Sequence, residues 1–545
     1  MGRKFELWQS QSSSIPRNYL ELMTLIQENR KFRSVSQLSY GDFGLQAALD
    51  TVTGAIKENK KIALYADYDV DGTMSCVSWI WFLEAIGYKN YTHYIPCRFE
   101  EGYGLNLDAI KHLVHEVKAE LIITMDTGIT ANVEAAYCAE QGVDFICTDH
   151  HKIQAEKMPD CVILNPKLHP DPDYQELCGC GITFVLLRQL GKRFPVPAAT
   201  WNDILAITGM ATICDVVPLN GVNHKLANLG VNAILKSQRP ILKSILKAAA
   251  IDSRMDEKDV GFRIGPRINA VGRLKHANTV VEAFLENEPD RLVEYMGTCN
   301  EERKGIQTKI FQEASLQATD FLDGKCLFLG GDWHQGVVGI AASKIAERYW
   351  RPTWLFQRNG DQCKGSARSI PGFDVTEAMA ACSHLFEKFG GHKAAGGFSF
   401  PIENEQKIRE ALQSYCEEQF SQQPSLWQSK IQFDCRLPID LLDLALADSL
   451  EEMKPFGHGF EEPIFQIEAP IGRVDYYKDK STGEPKHTAV TIKTVEGNQK
   501  VMFFNEVFQE FSQISKASFI VSASRNTFRG RQQLSLMGHD WELIH

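Results

Sequence analysis

Four short apolar runs, each ending at residues able to do chemistry, constrain this chain more than any other feature. Residues 61–66 (KIALYA) lead into DYDVDG, 121–125 (LIITM) into Asp126, and 145–148 (FICT) into Asp149, His150 and His151. A fourth run, 162–164, leads into Asn165 and Pro166. Helical patterns at 73–86 and 107–118 lie between them. Short continuous apolar runs alternating with helices predict strands of a parallel sheet covered on both faces. In such sheets the ligand crevice lies outside the carboxyl ends of the strands, and there the acids gather.

A chain of 545 residues is too long for one core, and about three to five domains are expected. Residues 1–45 read as a mixed, mostly helical segment, and 46–288 as the first α/β domain. From Pro289 and Asp290 to about Asp320 there is no further proline and there are only two interior glycines, Gly297 and Gly305, which predicts a long connecting helix over 289–322. A second α/β domain follows at 323–424, with strands at 325–329 and 353–357, a helix at 339–348, and GGHKAAGG (390–397) as a turn. From 429 to 545 closely spaced alternating segments predict a small β-barrel or sandwich.

DYDVDG places Asp67, Asp69 and Asp71 at alternate positions, and on extended backbone alternate side chains share a face. Three converging carboxylates repel one another unless cations neutralise them, and hard divalent cations suit oxygen ligands. Taken alone the hexapeptide also reads as a solvated acidic turn. It does not read as an EF-hand loop, because the required Glu would have to be Ser78. Imidazole beside carboxylate, as in Asp149–His150–His151, suits Mn²⁺, Zn²⁺ or Fe²⁺. Adjacent His on extended backbone point oppositely, so only one is expected to face the cluster. Asp126 in DTG and Asp215 in ICDVVPL, each after an apolar run, complete four strand ends that deliver ligands to one crevice. Together they suggest a two-metal centre, which stabilises both attacking and leaving oxygens of a displacement at phosphorus.

The chain is acidic overall, 58 basic against 69 acidic side chains for a net −11, which excludes a globally cationic nucleic-acid coat but not a local basic groove. Residues 260–281 supply one: Arg263, Arg267, Arg273 and Lys275 with no acid. GPRINAVGR (265–273) combines glycines that let a ligand approach with arginines that match phosphate bidentately. GSARS (365–369) offers Ser366 and Arg368, and GGHKAAGG offers His392 and Lys393. Near the end, 511–539 carries Lys516, Arg525, Arg529 and Arg531 with Phe519 and Phe528 and no acid, a mix that suits single strands with stackable bases. Both Phe also read as core.

DYDVDG, DTG, TDHH and CDVVPL, in that order, resemble the metal motifs of the DHH phosphoesterase superfamily, and GSARS and GGHKAAGG resemble its companion DHHA1 domain. RFEEGYGL (98–105), GPRINAVGR and WHQGVVGI (333–340) narrow the resemblance to its bacterial single-strand-specific 5′→3′ DNA exonucleases. The resemblance implies two α/β lobes, a DHH parallel-sheet domain and a DHHA1 domain, joined by a long helix and followed by an OB-like β-barrel. It implies two divalent ions, Mn²⁺ or Mg²⁺. Asp69 and Asp126 would hold one, with Asp67 close by; Asp71, Asp126, His150 and Asp215 would hold the other. His151 would serve the scissile phosphate together with His392. Arg98, Arg267, Asn269, Arg273, Ser366, Arg368 and Lys393 would bind the 5′-phosphate end, and Arg525, Phe528, Arg529 and Arg531 the strand. A role in DNA repair and recombination, with a single-strand-binding protein and a helicase as partners, is also implied. The chain departs at Tyr65, where many family members have His, and at GFEEP (459–463), where a GNPEP-like stretch is usual.

The resemblance leaves two rivals: an oligoribonuclease or cyclic-dinucleotide phosphodiesterase of the same superfamily, which would not need the C-terminal β domain, and an inactive nucleic-acid-binding subunit, which would have lost ligands. No apolar run is long enough to span a bilayer, and the first twenty residues lack a signal-type apolar stretch. Fourteen Cys in such a chain are expected to be reduced thiols in the cytoplasm, with Cys178 and Cys180 a buried pair.

Overall fold

The apolar runs need cover on both sides, and they receive it. The structure, a computed structural model, describes residues 4–36, 43–102, 104–479, 481–494, 497–528 and 531–544. Tyr91–Tyr94, Ile62–Ala66, Leu121–Met125, Asp144–Thr148 and Val162–Leu164 form, in that order, an all-parallel sheet. Every residue of Ile62–Ala66 and Leu121–Met125 is buried. The chain leaves Ile62–Ala66 for one neighbour and returns on its other side, so the winding reverses between these two central strands. That switch point opens a crevice at their carboxyl ends, where Asp67 and Asp126 follow.

Helix Asp290–Ala318, 29 residues and so about 43 Å long, connects this lobe to the second. There Lys388–His392, Ala395–Pro401, Gln362–Arg368, Thr353–Asn359 and Leu327–Gly331 form a mixed five-stranded sheet. GGHKAAGG is more than a turn: it spans a hairpin in which Gly390 pairs with Gly397 and His392 with Ala395. Its glycines hide the strand pattern, because they carry no side chain to alternate.

The C-terminal strands Ile464–Lys478, Pro485–Thr494, Gly497–Phe503, Arg531–Leu543 and Lys516–Phe528 pair in that order, and the last returns to the first, closing a five-stranded barrel. Phe503, Phe511, Phe519 and Trp541 fill it, so Phe519 is core. The N-terminal segment differs from the helical expectation. Leu7–Ser10 is a strand paired in parallel with Lys430–Phe433, and among the described residues before Leu45 only Tyr19–Asn29 is helical. Its Leu22, Leu25 and Ile26 join the barrel-side core, and Arg30 pairs with buried Asp434. These partners lie about 400 residues away, beyond the reach of any local pattern. All fourteen Cys are free thiols, with Cys178 and Cys180 buried. Among the described residues no helix is long and apolar enough to cross a membrane.

Candidate metal centre

Asp67, Asp69 and Asp71 converge for a different reason from the one their spacing suggests. The strand ends at Ala66, and helix Val70–Ala85 starts just beyond it. Asp69 is its N-cap and accepts hydrogen bonds from the Asp71 and Gly72 amides at 2.9 and 3.1 Å, satisfying donors that a helix start leaves open. Asp71 lies in the first turn and takes the amides of Gly179 (2.5 Å) and Cys180 (2.9 Å), from the start of helix Gly179–Arg193. Its carboxylate is thus aimed by two helix N-termini. Residue 179 must be glycine: a Cβ there would sit 2.7 Å from Asp126 Cβ and 2.9 Å from Asp71 Oδ2.

Asp126 follows the adjacent strand in left-handed backbone, φ 59°, a conformation Asp tolerates better than most residues. Asp215 does not come from a strand end. It caps the carboxyl end of helix Ala198–Cys214; the apolar run before it is helical because it is covered on all sides, and apolarity alone does not separate the two. His150 and His151 also depart from the expectation, since both reach Asp126. His150 Nε2 lies 3.2 Å from Asp126 Oδ1 and 3.5 Å from Asp215 Oδ2, and His151 Nδ1 lies 4.0 Å from Asp126 Oδ1. The strand has ended at Thr148, so extended alternation no longer applies.

Asp149 stands outside the expected ligand set, and the structure gives it a task. Its Oδ1 accepts from the His151 amide (3.1 Å) and from His151 Nδ1 (2.7 Å), and its Oδ2 from the Ile129 amide (2.9 Å). It fixes which ring nitrogen of His151 faces the crevice. Burial is the largest influence and raises the Asp149 pKa, but the His151 bond and charge together with the Ile129 and His151 amides outweigh it and the carboxyl stays low. Burial likewise lowers His151, and the Asp149 bond together with the charges of Asp149, Asp67 and Asp69 more than restores it.

Ligand atoms of three sets lie within 4.8 Å of one another: Asp67, Asp69 and Asp126; Asp71, His150 and Asp215; and Asp126, His150 and His151. Four of these atoms, Asp67 Oδ1, Asp126 Oδ1, His150 Nε2 and Asp215 Oδ2, are buried without a hydrogen-bond partner. Burial, and then neighbouring carboxylates, push Asp67, Asp126 and Asp215 well above the usual carboxyl range. The same causes push Asp71 up to about 6. Burial, reinforced by His151, drops His150 to about 3 and keeps it neutral. Unsatisfied carboxylate oxygens and a neutral imidazole aimed at one place are a donor set that fits hard-to-borderline divalent ions. Tyr65 stays out: it is fully buried, stacks on Tyr94, and its hydroxyl points to the Gly104 carbonyl at 3.4 Å.

A cleft of about 630 Å³ between the lobes is lined by Tyr68, Arg98 and Arg273 on one wall and Gly336, Ser366 and Arg368 on the other. Burial and then Arg98 depress Arg273 to about 10 and lower Arg368. Three guanidiniums crowded so that their charges oppose one another make a wall suited to an anion. The N-terminus of helix Gln335–Tyr349 also opens here, adding oriented amides.

GPRINAVGR forms helix Gly265–Leu274. Its glycines serve packing rather than ligand approach: a Cβ on Gly265 would lie 2.4 Å from Cys214 Sγ, and one on Gly272 2.7 Å from the Tyr68 carbonyl. Asn269 accepts from the Val70 amide at 3.2 Å, tying this helix to DYDVDG. Arg267 points away, its guanidinium on the carbonyls of Arg263 and Ala248. His392 is near enough to His150 and His151 for their charges to interact, and Lys393 is exposed in the hairpin turn. In the barrel Arg525 pairs with Asp448 and Arg531 is exposed. Phe528 ends a strand, and Arg529 lies outside the described residues.

Comparison with known proteins agrees with this arrangement. The DHH family, N-terminal domain, matches residues 61–209; the DHHA1 domain matches 323–418; and the RecJ OB domain matches 433–540. The chain is 31% identical to the single-stranded-DNA-specific exonuclease RecJ of Bacillus subtilis, covering 92% of this chain and 64% of that protein. It is 30% identical to the protein of the same name from Salmonella typhimurium, covering 92% and 90%. A crystal structure of RecJ with Mn²⁺ from Thermus thermophilus superimposes with a TM-score of 0.84 at 25% identity, over 99% of this chain and 80% of that one. The protein is therefore a member of the RecJ family of DHH phosphoesterases.

Proposed function

We propose that the protein is a divalent-metal-dependent exonuclease that degrades single-stranded DNA from the 5′ end to 5′-mononucleotides. The observation that carries this reading is the set of four unpartnered buried ligand atoms, drawn from four separate segments and set beside a cationic cleft. In this reading Asp67, Asp69 and Asp126 hold one ion, and Asp71, Asp126, His150 and Asp215 the other. These residues would hold Mn²⁺ or Mg²⁺, and a pair of ions there would supply stabilisation of charge on the entering and leaving oxygens of an in-line displacement at phosphorus.

The chain's own groups do the rest. Asp149 holds His151 so that its other ring nitrogen hydrogen-bonds the scissile phosphate or moves a proton there. His392 contacts that phosphate or the next. Arg98, Arg273, Arg368 and Ser366 take the terminal 5′-phosphate, with Lys393 nearby, and this end-anchoring gives the reaction its direction. Asn269 supports the site by holding the Val70 amide, and Arg267 keeps the adjoining helix in place. The division into 1–45, 46–288, 289–322, 323–424 and 429–545 belongs to this reading. So do a strand-binding role for Arg525, Phe528, Arg529 and Arg531, a cytoplasmic setting in DNA repair and recombination, and a single-strand-binding protein and a helicase as partners.

Digestion of one single strand labelled at the 5′ end, and separately at the 3′ end, tests the function with Mn²⁺ or Mg²⁺ present. Labelled mononucleotide is expected first from the 5′ label. First release from the 3′ label would overturn the assigned direction.

A further inference from the structure

The sheet of the second lobe presents one face to the cleft, and strand register defines it. Arg368 pairs with Ala395 and Ala395 with His392; Ser366 with Gly397 and Gly397 with Gly390; Lys364 with Ser399 and Ser399 with Lys388. Alternate side chains share a face, so these three rows line one surface. Cys363, Ala367, Phe398 and Phe400 on the reverse face are buried. The first row holds His392, closest to the metal centre. The second holds Ser366, and the third, farthest away, holds two lysines flanking a serine. Lys364, Ser399 and Lys388 line the same cleft as Arg98, Arg273 and Arg368.

Two features of this third row call for a ligand. Neither lysine side chain makes an ion pair or hydrogen bond among the described residues, and the acid next to Lys388, Glu387, is held by Gln362 at 2.8 Å. The floor between the rows is also bare for no reason internal to the fold. A Cβ on Gly390 or Gly397 would meet nothing within 4 Å, and neither has a positive φ. The path from Ser366 to the lysines is clear and about 6–7 Å long, two residues of strand. That is the reach of a triphosphate from its first phosphorus to its terminal oxygens.

We propose that Lys364, Ser399 and Lys388 form a subsite for phosphates beyond the 5′-terminal one, so that strands ending in a 5′-triphosphate are bound and cut. This rests on the reading that Ser366 and its arginines hold the 5′-phosphate. The reaction is the same displacement. Water adds to the scissile phosphorus, the bond to the 3′-oxygen of the first nucleotide breaks, and that oxygen takes the proton. The first product is a nucleoside 5′-triphosphate with a free 3′-hydroxyl, and the shortened strand carries a 5′-monophosphate.

The test compares one strand bearing a 5′-monophosphate or a 5′-triphosphate, in the wild type and in the Lys364→Ala/Lys388→Ala double variant. The wild type should cut both and release nucleoside triphosphate first from the second. The variant should lose about tenfold or more in kcat/KM on the triphosphate strand with less than about twofold change on the monophosphate strand. A wild type that cuts only the monophosphate strand overturns the proposal, as does a variant that changes both strands alike. Dinucleotides released from the monophosphate strand by the wild type but not by the variant would assign the lysines to an internal phosphodiester, and would also overturn it. Calorimetry with inorganic tripolyphosphate and orthophosphate reads the subsite without turnover. Tripolyphosphate should bind about tenfold tighter, an advantage the variant loses; equal binding of the two anions contradicts the proposal even if neither strand is digested.

Discussion

Asp126→Asn is expected to lower the rate of mononucleotide release from a 5′-labelled single strand by at least about a thousandfold, while the protein stays folded. Asp126 belongs to two of the three ligand sets, and in the proposed assignment it serves both ion positions, so the change would remove a charge from both at once. Asn is nearly isosteric and tolerates the left-handed backbone that residue 126 adopts. The folded state has reason to survive. Asp126 is buried among Asp67, Asp69, Asp71 and Asp215, whose charges oppose its ionisation, so a neutral amide relieves repulsion in the metal-free protein. Thermal melting in chelator should show the variant at or above the wild-type midpoint. Activity within about tenfold of wild type would remove Asp126 from the centre of the mechanism.

The second large effect is the dependence of metal binding on pH. Asp67, Asp71, Asp126 and Asp215 have folded pKa values above the ordinary carboxyl value of 3.8, Asp71 at about 6. In the metal-free fold these carboxyls hold protons that the unfolded chain has released. Their contribution to stability is therefore present at low pH and lost as pH rises through the folded values. Divalent ions need the carboxylates ionised, so binding expels those protons and weakens about tenfold per pH unit for each proton displaced. His150, already neutral down to about 3, has no proton to release in this range. The shift in melting temperature produced by Mn²⁺ should be small at about pH 5.5, large at about pH 8, and abolished by chelator. A shift of equal size at the two pH values would contradict the assignment of the buried carboxylates as ligands.

The parallel sheet was legible in the sequence because strands buried on both faces must be apolar throughout, and the breaks after Ala66, Met125 and Thr148 marked where those strands stop. The barrel was legible because alternation with period two survives along each long strand. The route by which Asp215 arrives was not, since a fully buried helix and a fully buried strand share a composition; only the length of Ala198–Cys214, 17 residues, favoured the helix. The placing of both His150 and His151 against Asp126 depends on backbone turning after the strand, which no residue spacing encodes. Asp149 carried a signal, the first letter of the D-H-H triplet, but its task is to orient His151, and positioning groups differ from ligands only in where they point. Arg267 shows the reverse case: it has the side chain a phosphate site wants, on the face of the helix that does not reach the cleft.

The claim on which everything rests is that two ions share Asp126. Anomalous scattering from crystals grown with Mn²⁺ measures it directly. Two peaks are predicted, one bounded by Asp67, Asp69 and Asp126 and the other by Asp71, Asp126, His150 and Asp215. Peaks that leave Asp126 without a metal, or that fall away from these side chains, would contradict the account.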